Sequence, residues 1–230
     1  MGHIVDDENL RGRPHVFRDR EHAGAIMAEL LSDLSGTDTV VLAIPAGGAP
    51  VAARIARALR LPLDVAVVSK VTLPWNSEAG YGAVAFDGTA RLNDQLLSRL
   101  DLSADQIEHG VAKTRRKVEQ RVERLRGGRP PLALADKTVV LVDDGLASGF
   151  TMRVAVEAVR SAGARRVVVA APTGHERAVQ GLSEMADEVR CANVRGGPSF
   201  AVADAYERWR DVTVAEAREA LDVERIDGAL

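Results

Sequence analysis

Residues Val139 to Thr151 combine two adjacent carboxylates with a turn of small residues, and their sequence is VVLVDDGLASGFT. Gly145 and Gly149 permit positive φ values, at which successive backbone N–H groups can converge on an anion. The hydroxyls of Ser148 and Thr151 add donors, and a helix that begins near Thr151 adds the positive end of its dipole. This pattern predicts a turn that binds a phosphate group.

Asp143 and Asp144 stand directly before this turn, where a bound phosphate would repel them. They are better explained as acceptors for the hydroxyls of a cis-diol and as partners of Mg²⁺ through water molecules. The alternative, in which Asp143-Asp144-Gly145 forms only a tight turn, leaves the rest of the pattern unexplained. We therefore expect a pocket that binds a phosphate and a ribose together.

Short apolar runs rich in valine alternate with segments of helical length along most of the chain. The predicted strands are Thr39–Ile44, Leu63–Ser69, Thr138–Val142, Val167–Ala171 and Glu188–Val194. The predicted crossover helices are Pro50–Leu59, Thr151–Ser161 and His175–Glu184. Strands that are apolar on both faces and joined by helices indicate an α/β protein with a doubly wound, mostly parallel sheet. Such sheets bind ligands at the carboxyl ends of their strands.

The alternation is interrupted after Lys70. A hairpin is predicted near Ala83–Asp87 and Thr89–Leu92, and a capping box at Ser103–Gln106 begins a helix that reaches about residue 126. An apolar stripe on this helix would pack on the sheet or on a second subunit, and the second case would make a homodimer. The remaining faces carry many basic residues but no aromatic ones, which favours a solvated surface over a nucleic-acid-binding surface.

The composition limits the class of protein. A chain of 230 residues with 46 % hydrophobic residues can form one large domain, and its net charge of −3 provides no overall basic field for nucleic acid or anionic membrane. Cys191 is the only cysteine, so an internal disulfide is excluded and an inert buried thiol is expected. The N-terminus lacks an apolar signal segment, and no apolar run reaches the roughly 18 to 20 residues of a membrane helix. We therefore expect a soluble, cytoplasmic protein.

The order Asp-Asp-Gly-x-Ala-x-Gly-x-Thr after an apolar strand resembles the phosphoribosyl diphosphate signature of type I phosphoribosyltransferases. Further segments resemble an uncharacterised prokaryotic group of that family, and they are Phe17–Arg20 with Ala23–Gly24, Gly82–Val84, Arg126–Pro130 and Phe200–Val202. Part of this group shares the Pro-Ala-Gly-Gly sequence found at residues 45–48. The resemblance implies a single domain over residues 1–230 with a five-stranded core. It also implies a small hood over the acceptor site, formed by residues from about 1–35 and 195–230.

The resemblance implies roles for individual residues. Ribose 5-phosphate would be bound by Gly145, Leu146, Ala147, Ser148, Gly149, Phe150 and Thr151. Diphosphate would be bound by a loop after the first core strand, formed by Ala46, Gly47 and Gly48. Relatives commonly carry arginine at the positions of Ala46 and Ser69, so this chain would depend on backbone N–H groups, magnesium and Lys70. The expected catalytic residues are Lys70, Asp143 and Asp144, and both aspartates would contact magnesium through water.

Residues 71–82 correspond to a mobile catalytic loop of the family, in which Asn76 and Glu78 are the polar candidates for ligand contact. Phe200 and Tyr206 are the candidates for acceptor contact in the hood. The implied activity is magnesium-dependent transfer of a 5-phosphoribosyl group from phosphoribosyl diphosphate to a small, nitrogenous acceptor. The alternative is a non-catalytic regulator that senses a phosphorylated ribose, because the diphosphate loop lacks a cation and the long helix is basic.

Overall fold

A six-stranded parallel sheet lies at the centre of the computed structural model, which describes residues 2–226 except the side chains of Ser77, Glu78 and residues 223–226. The strands are β1 (His3–Val5), β2 (Thr39–Ala43), β3 (Leu63–Val65), β4 (Val68–Leu73), β5 (Asn76–Ala85), β6 (Ala90–Leu92), β7 (Thr138–Val142), β8 (Arg166–His175) and β9 (Glu188–Arg195). The helices are α1 (Arg20–Leu30), α2 (Gly48–Leu59), α3 (Asp94–Leu97), α4 (Ala104–Arg126), α5 (Phe150–Ser161), α6 (Glu176–Ser183) and α7 (Val214–Ile226). None of these helices combines the length and the apolar surface that crossing a bilayer requires.

Alternate residues of the central strands face opposite layers of helices. Val41 and Val140 belong to the apolar cluster that contains α1 and α2, whereas Val40 and Val139 belong to the cluster that contains α5 and α6. All five residues of β2 and all five of β7 are buried, because helices cover both faces of the sheet. The predicted doubly wound α/β fold is therefore confirmed.

The main sheet, in the order β1-β9-β8-β7-β2-β3, differs from the prediction at both edges. β1 adds a sixth strand parallel to β9, and its three residues are too few to show an apolar pattern. At the other edge the predicted strand Leu63–Ser69 is divided. β3 pairs with β2, whereas β4 belongs to a separate antiparallel sheet of order β4-β5-β6. The expected five-stranded sheet was therefore one strand short, and one predicted strand spans two sheets.

Residues 71–82, expected as a loop, form most of a β-hairpin. β4 and β5 pair antiparallel on either side of a turn at Pro74-Trp75. A Cβ on Gly82 would lie 2.7 Å from the Arg91 carbonyl oxygen. The glycine is therefore explained by the close approach of β6. The second predicted hairpin is present as β5 paired with β6.

α4 begins at the predicted capping box. The Gln106 N–H donates to Ser103 Oγ over 3.2 Å, and the Ser103 N–H donates to Gln106 Oε1 over 2.9 Å. The helix ends at Gly127, whose φ of 59° is left-handed. Its apolar stripe packs on β4, β5 and α7, with Val118 and Leu125 buried and Ile107, Val111 and Val122 half-buried. A homodimer stays a prediction, and the basic residues at 113 and 115–117 are exposed.

Two segments that are distant in sequence pair with each other above the sheet. The Phe17 N–H donates to the Ala205 carbonyl oxygen over 3.0 Å, and the Glu207 N–H donates to the Phe17 carbonyl oxygen over 2.8 Å. The rings of Phe17 and Tyr206 lie 5.5 Å apart. α1 and α7, which also fall in the terminal ranges assigned to the hood, pack on α2. We use the name hood for the two paired segments, residues 15–18 and 200–210, and a hood over an acceptor site stays a prediction.

Gly110, in α4, gives room to Tyr81 of β5. A Cβ on residue 110 would lie 2.1 Å from Tyr81 Oη, and Tyr81 is buried. We predict that Gly110→Ala lowers the free energy of unfolding by about 1–3 kcal/mol, because overpacking outweighs the better helix propensity of alanine. Urea unfolding measures the change. Adding Tyr81→Phe removes the obstructing hydroxyl and should recover most of the loss, whereas an unchanged Gly110→Ala protein would contradict the contact.

Candidate functional site

β2 and β7 are neighbours in the main sheet, and the segments that follow them meet at its carboxyl edge. Ala43 and Val142 are paired in register, and the Ile44 N–H donates to the Val142 carbonyl oxygen over 2.8 Å. The glycine loop (residues 45–48) and the acidic turn (residues 143–151) therefore lie side by side. Parallel α/β sheets bind ligands at this position.

The acidic turn is attached to β8. The Leu146 N–H donates to the Thr173 carbonyl oxygen over 2.9 Å, and the His175 N–H donates to the Leu146 carbonyl oxygen over 2.8 Å. Leu146 also forms an isolated parallel bridge with Gly174. The backbone of the turn is thus held by the same kind of hydrogen bonds that join the strands.

Three consecutive backbone N–H groups of the acidic turn, those of Ala147, Ser148 and Gly149, have no acceptor among the described residues. Gly149 has a φ of 71° directly before α5 begins, and residues with a side chain rarely adopt this conformation. Ala147 and Ser148 are exposed. Free donors at the N-terminus of a helix are the geometry that a phosphate site requires.

The glycine loop lies against the acidic pair. A Cβ on Gly47 would lie 1.9 Å from Asp144 Oδ2, and one on Gly48 would lie 2.6 Å from a carbonyl oxygen of β7. The peptide bond between Pro45 and Ala46 is cis. The N–H groups of Ala46 and Gly47 have no acceptor within the part of the chain that the structure describes. The glycine loop therefore presents backbone donors, but no cation of its own, beside Asp144.

Asp144 forms an ion pair with Arg20, the first residue of α1. Arg20 Nε and Nη2 each lie 2.8 Å from Asp144 Oδ2, and Arg20 Nη1 donates to the Arg210 carbonyl oxygen over 2.8 Å. The guanidinium lies 4.0 Å from the centre of the Trp209 ring, and Arg20 is 8 % exposed. Arg20 lies in the segment Phe17–Arg20 that carries the family resemblance, but nothing in that segment indicates a partner 124 positions away, so this contact was not predicted.

Tyr206 supports the acidic turn from the hood. Its hydroxyl donates to the Asp144 carbonyl oxygen over 2.7 Å, and its ring contacts those of Phe17 and Trp209. Burial and the nearby Asp144 carboxylate raise the pKa of this hydroxyl well above its usual range. Tyr206 is 2 % exposed, so its ring has no free face for the acceptor contact that we expected.

Phe200, the other expected acceptor residue, is half-buried. Its ring lies edge-on to that of His175, with 5.5 Å between the ring centres, and the Arg195 guanidinium lies 5.2 Å from the ring centre. The hood residue Val202 lies directly against the acidic turn, because a Cβ on Gly145 would be 2.3 Å from Val202 Cγ1. Acceptor contact by Phe200 stays a prediction.

Lys70 lies within β4, and its side chain is exposed. We had expected it at the carboxyl end of a main-sheet strand, and the division of that strand between two sheets explains the difference. Asn76 Oδ1 accepts a hydrogen bond from the Ala79 N–H over 3.4 Å, a contact that supports the start of β5. The side chain of Glu78 lies outside the described residues.

The two adjacent carboxylates have different environments. The Asp144 N–H donates to Asp143 Oδ1 over 2.9 Å, whereas the Asp144 side chain is paired with Arg20. Burial, followed by the neighbouring Asp144 carboxylate, raises the pKa of Asp143 well above its usual range. The ionised form of Asp143 therefore opposes folding of the ligand-free protein.

We predict opposite effects from neutralising these carboxylates. Asp143→Asn should raise the free energy of unfolding at neutral pH by about 1–2 kcal/mol, because it removes a desolvated charge beside Asp144. Asp144→Asn should lower it by about 2–4 kcal/mol, because Arg20 would remain buried without its partner. Chemical unfolding of the ligand-free proteins measures both changes.

The gain from Asp143→Asn should depend on pH. A carboxyl group with a raised pKa in the folded state binds its proton more tightly there than in the unfolded chain. The wild-type protein therefore loses stability as the pH rises from the unfolded pKa, about 3.9, to the raised folded value. The variant has no such loss, so its advantage should grow across this window and then become constant. An advantage that does not vary with pH would contradict the raised pKa.

Comparisons with known proteins agree with this geometry. Residues 19–201 match the model of the family described as "Phosphoribosyl transferase domain". The chain is 37 % identical over 207 residues to the Mycobacterium tuberculosis H37Rv protein named "Putative phosphoribosyl transferase Rv0571c", a match that covers 90 % of this chain and 46 % of that protein. The counterpart from strain CDC 1551, "Putative phosphoribosyl transferase MT0597", gives the same values. The chain thus spans about half the length of these two relatives.

A solved structure resembles most of the chain. The crystal structure of TT1426 from Thermus thermophilus superposes with a TM-score of 0.74 at 40 % sequence identity, and the match covers 89 % of this chain and 97 % of that chain. The family model spans α1, both loops of the site and the first residues of the second hood segment. The chain therefore belongs to the phosphoribosyl transferase domain family.

Proposed function

We propose that the protein transfers a 5-phosphoribosyl group from phosphoribosyl diphosphate to a small, nitrogenous acceptor in a magnesium-dependent reaction. The observation that carries this proposal is the meeting of two sets of free backbone donors on either side of an acidic pair. Phosphoribosyl diphosphate has a phosphate at one end of its ribose, a diphosphate at the other and hydroxyls between them. The phosphate, the hydroxyls and the diphosphate therefore follow the same order as the N–H groups at residues 147–149, the acidic pair and the glycine loop.

Each part of the site takes one part of this ligand. The free N–H groups at residues 147–149 bind the 5-phosphate. Asp143 and Asp144 accept hydrogen bonds from the ribose hydroxyls. The N–H groups of Ala46 and Gly47 bind the diphosphate. Because most of these donors belong to the backbone, the site depends on how the chain is folded more than on its side chains.

Adjacent carboxylates are oxygen donors of the kind that Mg²⁺ prefers, so the chemistry of the acidic pair fits this ion. Among residues 2–226 as described, no group of three or more His, Cys, Asp or Glu side chains could hold a metal ion. Asp143 and Asp144 would therefore hold Mg²⁺ together with water and oxygens of the ligand. When bound, the ion would neutralise charge on the departing diphosphate.

The reaction exchanges one bond at C1 of the ribose for another. The bond from C1 to the diphosphate oxygen breaks, its electron pair leaves with diphosphate, and the lone pair of an acceptor nitrogen forms the new bond. The chain contributes position and charge: the glycine loop stabilises the leaving group, and the hood and the β4–β5 hairpin exclude water. Lys70, Asn76, Glu78 and Phe200 are the further ligand contacts that we propose.

A non-catalytic regulator is the second candidate. Ala46 leaves the glycine loop without a cation, and the exposed basic residues of α4 at 113 and 115–117 offer a surface for an acidic partner. A regulator would bind phosphoribosyl diphosphate but would not release diphosphate from it.

Binding of the ligand gives the first test. Titration of the wild-type protein with phosphoribosyl diphosphate and Mg²⁺ should show saturable binding. Asp143→Asn should weaken binding roughly tenfold or more, because a charged hydrogen-bond acceptor for the ribose is lost. Asp38→Asn is the matched control, since Asp38 pairs with Lys137 at the opposite ends of the same two strands and should leave the affinity unchanged. Absence of saturable binding by the wild-type protein would overturn the proposed function.

Release of diphosphate gives the second test. A screen of nitrogenous acceptors with Mg²⁺ and phosphoribosyl diphosphate should identify at least one acceptor that accelerates release. At a ligand concentration near the wild-type dissociation constant, release with the same acceptor should be several-fold slower or more for Asp143→Asn, because less of the variant is occupied. Binding of phosphoribosyl diphosphate without release for any acceptor would support the regulator and contradict the transferase.

A further inference from the structure

Arg20 joins three parts of the site that are far apart in sequence. Its Nε donates to Asp144 Oδ2, its Nη2 lies 2.8 Å from the same oxygen, and its Nη1 donates to the Arg210 carbonyl oxygen. Its face lies 4.0 Å from the centre of the Trp209 ring. Arg20 therefore connects α1, the acidic turn and the hood, and the side chains of Arg20 and Asp144 are only 10 % and 14 % exposed.

The Asp144 carboxylate presents an electrostatic problem for the glycine loop. Its Oδ2 atom occupies the space beside Gly47, where a Cβ would lie 1.9 Å away. Neither the Gly47 N–H nor the N–H of the adjacent Ala46 has an acceptor among the described residues. An unpaired carboxylate here would repel a diphosphate, and it could also accept hydrogen bonds from those N–H groups and so replace the ligand.

We propose that Arg20 is a positioning residue for the diphosphate half of the site. It neutralises Asp144 and holds Oδ2 by a hydrogen bond from Nε and an ion pair with Nη2, so that the N–H groups of the glycine loop stay free for an anion. The glycine loop has no cation at Ala46. The positive charge of Arg20 compensates for this indirectly, because it neutralises the Asp144 carboxylate beside the loop. The inference rests on the proposed function, since it names a residue that prepares the same site for diphosphate.

The shape of the guanidinium matters as well as its charge. Two of its nitrogens reach one carboxylate oxygen, the third reaches the hood, and its flat face covers Trp209. A lysine ammonium keeps the charge but lacks this fork and this face. Arg20→Lys should therefore keep part of the support for diphosphate binding, and Arg20→Gln should lose this support.

Two fragments of the ligand separate this role from a general effect on folding. Inorganic diphosphate with Mg²⁺ tests the glycine loop, and ribose 5-phosphate tests the acidic turn. Arg20→Gln should weaken diphosphate binding roughly tenfold or more, because a nearby anionic charge becomes unpaired, while ribose 5-phosphate binding changes less than about threefold. Arg20→Lys should lie between wild type and Arg20→Gln for diphosphate. Isothermal titration calorimetry gives each dissociation constant.

A double variant tests whether Arg20 acts through Asp144. In Asp144→Asn the carboxylate that Arg20 neutralises is gone, so adding Arg20→Gln should change diphosphate affinity by less than about threefold relative to Asp144→Asn alone. Arg208→Gln is the matched control, because Arg208 is an exposed hood arginine that pairs with Asp19. It removes the same charge and should leave both affinities unchanged.

The outcomes distinguish the inference from the proposed function. Wild-type protein that binds neither fragment would overturn both. Equal diphosphate affinity in wild type and Arg20→Gln would overturn the inference alone, as would equal losses for both fragments, which indicate a merely structural role. If Arg20→Gln does not fold, Arg20→Lys and the double variant serve as the test. Full diphosphate affinity in Arg20→Lys would overturn the inference. A large loss of diphosphate affinity in the double variant relative to Asp144→Asn alone would overturn it as well.

Discussion

The Asp144 carboxylate occupies the space that a side chain on residue 47 would fill, and the site depends on this contact. It restricts the glycine loop to glycine at that position and brings an anionic group beside backbone donors. The arrangement is tolerable because Arg20 pairs with the carboxylate from α1 and Tyr206 holds its backbone from the hood. The sheet, α1 and the hood must therefore all be in place before the site has its final charge distribution.

The features that could be predicted from the sequence are local. β7 and the turn after it were recognised because an apolar strand, two carboxylates, small residues and a helix start follow one another within residues 138–151. The features that were missed join distant residues. Arg20 and Asp144 are 124 positions apart, and Tyr206 and Asp144 are 62 positions apart, so no local period or spacing reports these contacts.

Lys70 lies within β4 and not at the carboxyl end of a main-sheet strand, and this difference from the prediction has another physical cause. Five of the seven residues from Leu63 to Ser69 are apolar, and an apolar pattern indicates burial without indicating which partner strand provides it. The chain leaves the main sheet after β3 and enters the antiparallel sheet at β4. The glycines of β5 were similarly ambiguous, because close approach of a neighbouring strand and a flexible loop both favour glycine.

The attachment of Leu146 to Thr173, Gly174 and His175 makes the acidic turn an extension of the main sheet. The glycine loop, in contrast, has its electrostatic environment completed by side chains of α1 and the hood. The two ends of the site are therefore held by different means: backbone hydrogen bonds to β8 fix the acidic turn at Leu146, whereas the Asp144 carboxylate beside the glycine loop is held by the side chain of Arg20.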